Sequence, residues 1–175
     1  ANEAYKGDLL NESRTTLSNL TLVLNEGLLN NFGGTIVGEG VFTKRGLGIL
    51  NFSGSNYSTG TTRVEEGVLF ANGYFASDVS VLAAGRLGGS GRINGSLNNG
   101  GIVSPGNSIG TLTVNRYAQS KDGVLELEFS SNSSDHLVVL QDASLKGEIT
   151  YIARGFLPTG THTLSANHLP SFISA

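Results

Sequence analysis

Cysteine, tryptophan and methionine are all absent from the 175 residues, and proline occurs three times. Without cysteine there is no disulfide framework, no thiolate nucleophile and no sulfur ligand for a metal. A chain threaded unfolded through a narrow pore also gains from having no disulfide to form early. Charge is sparse and balanced, with 11 basic against 14 acidic residues and a net charge of -3. Neither sign is clustered, which argues against a nucleic-acid surface and against an electrostatic membrane footprint. No apolar run approaches the ~18 residues of a membrane helix, and no charged-then-apolar leader opens the chain. The pattern is already under way at one end and still running at the other, so we expect a piece of something longer.

Glycine is what the chain has in excess, at 25 residues. The length suits one domain with a real core. Glycine this dense is costly in chain entropy, and a repeating architecture that needs it at every corner explains it. The pattern is clearest from Gly85 to Val114. Gly85-Arg86-Leu87, Gly91-Arg92-Ile93, Gly95-Ser96-Leu97, Gly101-Ile102-Val103 and Gly110-Thr111-Leu112 all read Gly-x-aliphatic. Each has the length of a very short strand with one residue inward and a tight corner beside it. Glycine reaches φ > 0 at such corners without a Cβ clash, and asparagine tolerates them next best and can stack its amide between coils. Pro105-Gly106 is a turn signal, with proline preset for position i+1 of a type II turn and glycine for i+2.

The same pulse recurs at Gly27, Gly34, Gly40, Gly48, Gly67, Gly123 and Gly147. Gly48 to Gly67 is a step of 19 residues, Gly67 to Gly85 of 18 and Gly91 to Gly110 of 19. A period near 20 suits a coil of three short strands. Leu20, Leu22 and Leu24 alternate with polar residues, and Asn19, Thr21 and Asn25 weigh for a strand there over the helix that leucine favours. The expected fold is all-β: a right-handed parallel β-helix, a solenoid whose coils stack at ~4.8 Å around leucine, valine and isoleucine. A conventional antiparallel sandwich also has short strands and glycine turns; the period favours the coil. Residues 1–16 commit to nothing.

From about Tyr117 glycine thins and the strands lengthen. In Val124 to Phe129, Leu125, Leu127 and Phe129 share one face, while Glu126 and Glu128 share the other, read as a solvated outer face. A stack of coils cannot end with its last layer bare, because that exposes apolar core and unpaired strand edges. The tail is therefore expected to form a hairpin-like cap. Residues 1–100 would be coils of a stem, and 101–175 the last coils plus the cap.

Two stretches resemble the passenger regions of bacterial type V autotransporters, together from about Gly38 to Leu164. The first, Gly38 to Leu69, is similar to the passenger-associated repeat. Its matching positions are Gly38, Gly40, Lys44, Gly46, Gly48, Leu50, Gly54, Asn56, Tyr57, Gly60, Thr61, Thr62, Val64 and Gly67. Phe42 stands for the usual aliphatic residue and Ser58-Thr59 for the usual Thr-Gly. The second, Gly85 to Leu145, resembles the pertactin-like autochaperone region. It carries Pro105-Gly106-Asn107-Ser108-Ile109-Gly110-Thr111-Leu112, Tyr117, Leu125-x-Leu127, Ser134-Asp135-x-Leu137 and Ala143-x-Leu145-x-Gly147. Pro158 to Leu164 follows the family's closing pattern, with His162 in place of its tyrosine.

The resemblance implies a folding module at the C-terminal end of a passenger, beside its own outer-membrane β-barrel. Such a module crosses the periplasm, emerges early at the bacterial cell surface, and templates the folding of the passenger coils N-terminal to it. The parent would be a surface virulence factor, retained at the outer membrane or released after cleavage. Full passengers of this family include adhesins, recruiters of host cytoskeletal proteins and proteases. Residues implied for the nucleus and cap are Pro105, Gly106, Gly110, Leu112, Val114, Tyr117, Leu125, Leu127 and Leu137. A charge at Leu125 or Leu127 is expected to stop folding without stopping synthesis.

Two other function classes were weighed. A binding surface on the coils themselves would need exposed aromatics, and Tyr57, Phe70, Tyr74 and Phe75 are the candidates. A polysaccharide lyase or glycosidase on a β-helix would need two carboxylates across a groove, ~5 to 9 Å apart. Glu65 and Glu66 are adjacent and point to opposite faces of a strand, and Glu126 with Glu128 reads better as surface. Asp135-His136 beside Ser133 and Ser134 invites a triad reading, but adjacency in sequence supplies neither convergence nor an oxyanion hole. His162 and His168 have no carboxylate or thiol beside them to complete a metal site. Gly88-Gly89-Ser90-Gly91 has Ile93 where a calcium-binding repeat carries aspartate. Gly-x-Gly at 46 and 89 lacks the third glycine and the helix of a dinucleotide site. We expect no catalytic residues, no cofactor and no metal.

Overall fold

A computed structural model describes residues 14–154, and side-chain surroundings from residue 19 onward. Fifteen strands and no helix occur among these residues. All the pairings between named strands are parallel, so the chain advances by coiling rather than by reversing. Coil upon coil, about seven turns stack into a β-solenoid. The sandwich alternative is thereby set aside.

Each coil carries three short strand segments, as the period predicted. On one side Ile36, Asn56, Phe75, Ile93, Val114 and Val139 lie one above the other. A second inward row runs Phe42, Thr62, Val79, Leu97, Tyr117 and Ala143. The third runs Asn30, Leu50, Leu69, Leu87, Val103, Leu125 and Ile149. The step along it varies, from 16 residues between Leu87 and Val103 to 24 between Leu125 and Ile149. Extra residues are absorbed at the corners, which lie outside the ladders and tolerate insertion.

The core departs from the expected aliphatic column. Phe32, Phe42, Phe52 and Phe75 are buried together. The Phe52 ring centroid lies 5.0 Å from that of Phe32, 6.0 Å from Phe42 and 4.8 Å from Phe75. Aromatic rings suit a solenoid because successive coils set them at a spacing where offset and tilted contacts are favourable.

Glycine has a second reason beside φ > 0. At one corner Gly34, Gly54, Gly73 and Gly91 stand in a column, none with positive φ. A Cβ on Gly54 would lie 1.9 Å from the Gly34 carbonyl oxygen, and one on Gly73 1.9 Å from that of Gly54. Close approach of backbones, rather than left-handed geometry, excludes side chains there. Beside this corner runs an amide ladder. Asn51 Nδ2 donates to Asn31 Oδ1 and Asn72 Nδ2 to Asn51 Oδ1, each at 2.8 Å.

As far as residue 154, the tail stays within the parallel stack. His136–Val139 and Ala143–Ser144 lie on Thr111–Gln119, and Glu148–Ala153 lies on Val124–Phe129. The hairpin-like element is one reversal, where Phe129 bridges Ser134 antiparallel. Beyond it, Leu140, Leu145, Ile149 and Tyr151 are exposed, although Ile149 and Tyr151 continue the inward positions of Leu125 and Leu127. Two expectations on Val124–Phe129 fail. Phe129 is only half-buried, and Glu128 is buried rather than solvated, because the reversal folds over its end of the strand. Pro158 to Leu164, His162 and His168 lie outside the described residues.

Candidate folding site in the terminal coils

From Asn99 onward, amide side chains occupy one inward row on successive coils. The row reads Leu22, Lys44, Val64, Val81, Asn99, Gln119. Burying two amides on successive coils costs free energy unless every polar atom is paired. Here they are paired. Tyr117 donates its hydroxyl to Gln119 Oε1 at 2.6 Å and accepts from Asn99 Nδ2 at 3.0 Å. Asn99 Nδ2 also donates to the Val124 carbonyl at 2.9 Å, and Asn99 Oδ1 accepts the Gly101 N–H at 3.1 Å. Gln119 Nε2 donates to the carbonyls of Lys146 at 2.6 Å, Glu148 at 2.9 Å and Gly123 at 3.1 Å. Burial pushes the Tyr117 hydroxyl well above its usual range, partly offset by Asn99, so it stays protonated and able to donate. Backbone of three successive coils is thus held by side chains inside the core.

A second set of bonds closes the reversal. Asp135 is fully buried. Its Oδ1 accepts the Gly110 N–H at 2.8 Å, and its Oδ2 accepts the Glu128 N–H at 2.7 Å. The Asp135 N–H in turn donates to the Glu128 carbonyl at 2.7 Å. Glu128 Oε1 is paired with the Arg154 guanidinium, and the Arg154 N–H donates to the Phe129 carbonyl at 2.7 Å. One clasp thereby ties the turn ending at Gly110, the reversal and the last strand.

The residues named from the sequence lie on or beside these bonds. Leu112, Val114, Tyr117, Leu125, Leu127 and Leu137 all belong to one buried cluster. Pro105 and Gly106 are buried, and Gly110 is half-buried at the clasp. Gly106 has φ 85°, the left-handed region its turn position requires, and bonds Gly89 in both directions at 2.8 and 2.7 Å. The sequence had suggested nothing for Asn99 and Gln119, because an amide at an inward position reads like the asparagines of the corners. In the sequence Asp135 stands out only within the Ser134-Asp135-x-Leu137 pattern and beside His136, where adjacency makes no triad. His136 beside it is exposed, and Asp135 itself is occupied by two backbone amides.

The aromatic surface does not assemble as one patch. Tyr57 is 54% exposed and its ring stands 5.4 Å from that of Tyr74 on the next coil, tilted at 46°. Phe75 is a core residue stacked near Phe52, so it is withdrawn from any binding surface. Phe70 lies half-buried on another row, beside Gly88. Lys44 is also fully buried, its Nζ donating to the carbonyls of Arg45, Gly46 and Glu66 at 3.0, 2.6 and 2.9 Å. Burial lowers its pKa to about 8, against a smaller raising effect of the Glu66 charge. Asn56 is likewise turned inward, bonded to Thr62 and Ser58. These two positions of the passenger-associated repeat thus hold corners from within. Of the carboxylates considered for catalysis, Glu65 pairs with Arg45 and Arg63, Glu126 with Arg86 and Glu128 with Arg154, while Glu66 accepts the Gly46 N–H.

No protein-family model matches the chain. It is 31% identical over 151 residues to an extracellular serine protease of Serratia marcescens, an alignment covering 85% of this chain and 14% of that protein. It is 29% identical over 146 residues to the adhesin BmaC autotransporter of Brucella suis, covering 81% of this chain and 4% of that protein. The chain therefore spans only a small part of either relative's length. A parallel β-solenoid similar in sequence to a part of each of these two proteins is consistent with a passenger region of a bacterial autotransporter.

Proposed function

We propose that the chain is the C-terminal stem and folding nucleus, or autochaperone, of an autotransporter passenger. Its terminal coils fold first after crossing the periplasm and the outer membrane, and the coils N-terminal to them add one at a time. Pro105, Gly106, Gly110, Leu112, Val114, Tyr117, Leu125, Leu127 and Leu137 form the nucleus, joined by Asn99, Gln119 and Asp135. Its partners are the passenger coils before it and the outer-membrane β-barrel of the same protein. No catalysis is assigned to these coils.

The observation that supports this reading is the connected network of buried side chains, Asn99, Tyr117 and Gln119, that bonds successive coils from within the core. In a solenoid, adding a coil is favourable only on a formed neighbour, so starting is the costly step. Side chains that fix the backbone of the following coil lower that cost where they occur. The test is denaturant unfolding and refolding of residues 1–175 against residues 1–100. Cooperative refolding of the longer chain alone supports a terminal nucleus, and equal refolding of the shorter chain contradicts it.

A second reading rests on exposed Tyr57 and half-buried Tyr74, whose rings meet on successive coils. It would make this flank of the stem a recognition surface for a host protein. Loss of host-cell binding on Tyr57→Ala, with stability unchanged, would favour it over the folding role.

A further inference from the structure

The clasp at the reversal is unbalanced in charge. Asp135 and Glu128 contribute two carboxylates, and Arg154 contributes one guanidinium. Asp135 is fully buried and Glu128 is 5% exposed. Glu128 Oε2 is buried without a partner among the described residues. A buried polar atom left unpaired is unusual and costly. The other charged groups acting on the clasp are His136, exposed beside Asp135, and Glu126, which is held by Arg86 from two strands away in the stack. None of them offers Glu128 Oε2 or Asp135 a further bond among the described residues.

We propose that the clasp is a proton-sensitive latch: Asp135, buried in the clasp beside the Glu128 charge, takes up a proton as its surroundings turn from neutral to acidic, and the terminal coils are held more tightly with it. A protonated Asp135 still has lone pairs on both oxygens to accept the Gly110 and Glu128 amides, so the clasp geometry survives. What disappears is one buried, uncompensated negative charge. Burial raises Asp135 above its usual 3.8, the two backbone amides oppose this, and the Glu128 charge adds to the rise.

The sign follows from linkage. A carboxyl that titrates higher in the folded state binds its proton more tightly there than in the unfolded chain. The stabilisation is complete below pH 3.8 and is lost as pH rises through the folded value. The stem end tightens in acid and loosens toward neutrality.

The test combines two measurements on the full chain. Carbon-13 carboxyl NMR gives the Asp135 midpoint, and denaturant unfolding from pH 4 to pH 7 compares wild type with Asp135→Asn. The expected midpoint lies above 3.8. As pH falls, the wild-type unfolding constant should drop relative to the variant by up to tenfold for about each pH unit of that elevation. Glu128→Gln keeps an acceptor for Arg154 and removes the neighbouring charge, so it should lower the midpoint. A wild-type midpoint at or below 3.8, or one unmoved by Glu128→Gln, overturns the latch. If Asp135→Asn fails to fold, the two midpoints alone decide.

Discussion

The upstream coils and the terminal coils share one winding and one ladder, yet they are held differently. From Phe32 to Leu97 the interior is largely a column of phenylalanine, leucine, isoleucine and valine, with buried polar residues at Thr43, Lys44, Asn56, Ser58 and Thr62. Lys44, Asn56, Ser58 and Thr62 bond mainly within their own corner or to the adjoining coil. From Asn99 onward, Tyr117, Gln119 and Asp135 carry bonds from coil to coil. Hydrophobic burial is non-directional and would accept a slipped or expanded coil. Hydrogen bonds from a buried amide to chosen carbonyls accept one register only. The contrast suggests a division of labour, in which upstream coils gain stability by repetition and the terminal coils fix where repetition starts.

The sharpest way to break this contrast is to place a charge in the terminal core. Leu125→Asp or Leu127→Asp buries an unpaired carboxylate and should cost several kcal/mol, about 4 or more. The expected result is loss of protease resistance along the whole chain with synthesis unchanged. Wild-type resistance in either variant would count against a nucleus here. Gln119→Leu comes next: it removes the bonds to the carbonyls of Lys146, Glu148 and Gly123 and the acceptor of Tyr117. A loss of roughly 2–4 kcal/mol by denaturant unfolding is expected, for the groups left unsatisfied. Phe52→Leu tests the other region. It should cost roughly 1–3 kcal/mol for lost ring contacts and incomplete collapse. Amide exchange should rise around Phe32 and Phe75 while the coils after Asn99 keep their protection.

Lys44 separates the two regions by pH. Its ordinary value of 10.5 falls to about 8 on burial, so between these values the unfolded chain holds more protons than the folded one. Wild-type stability should therefore rise relative to Lys44→Met as pH goes from 8 to 10.5, and a flat difference would remove the buried charge from the account. Tyr57→Ala should change stability least, by no more than about 0.5 kcal/mol.

Much of the architecture could be read from spacing alone. Recurrent Gly-x-aliphatic pulses near a 20-residue period gave coils of three strands, because stacked corners force glycine at fixed intervals. The tail was harder. Glu126 and Glu128 alternate with leucines and look equivalent, yet the folding of 128–135 over one end buries Glu128, while Glu126 stays half-buried and pairs with Arg86. Phe75 follows Tyr74 directly, so composition marked both as surface aromatics, while alternation on a short strand sends one in and one out. Asn99 and Gln119 look like corner residues by type. Their inward placement depends on where each coil starts, which the uneven step lengths hide.

Refolding kinetics of Leu127→Ala and Leu69→Ala in the full chain would test the central claim most directly. Both side chains are core residues, one in a terminal coil and one upstream. If the terminal coils nucleate folding, Leu127→Ala slows refolding in proportion to its destabilisation, and Leu69→Ala acts almost wholly by accelerating unfolding. The reverse assignment, with Leu69→Ala slowing refolding and Leu127→Ala leaving it unchanged, would contradict the account.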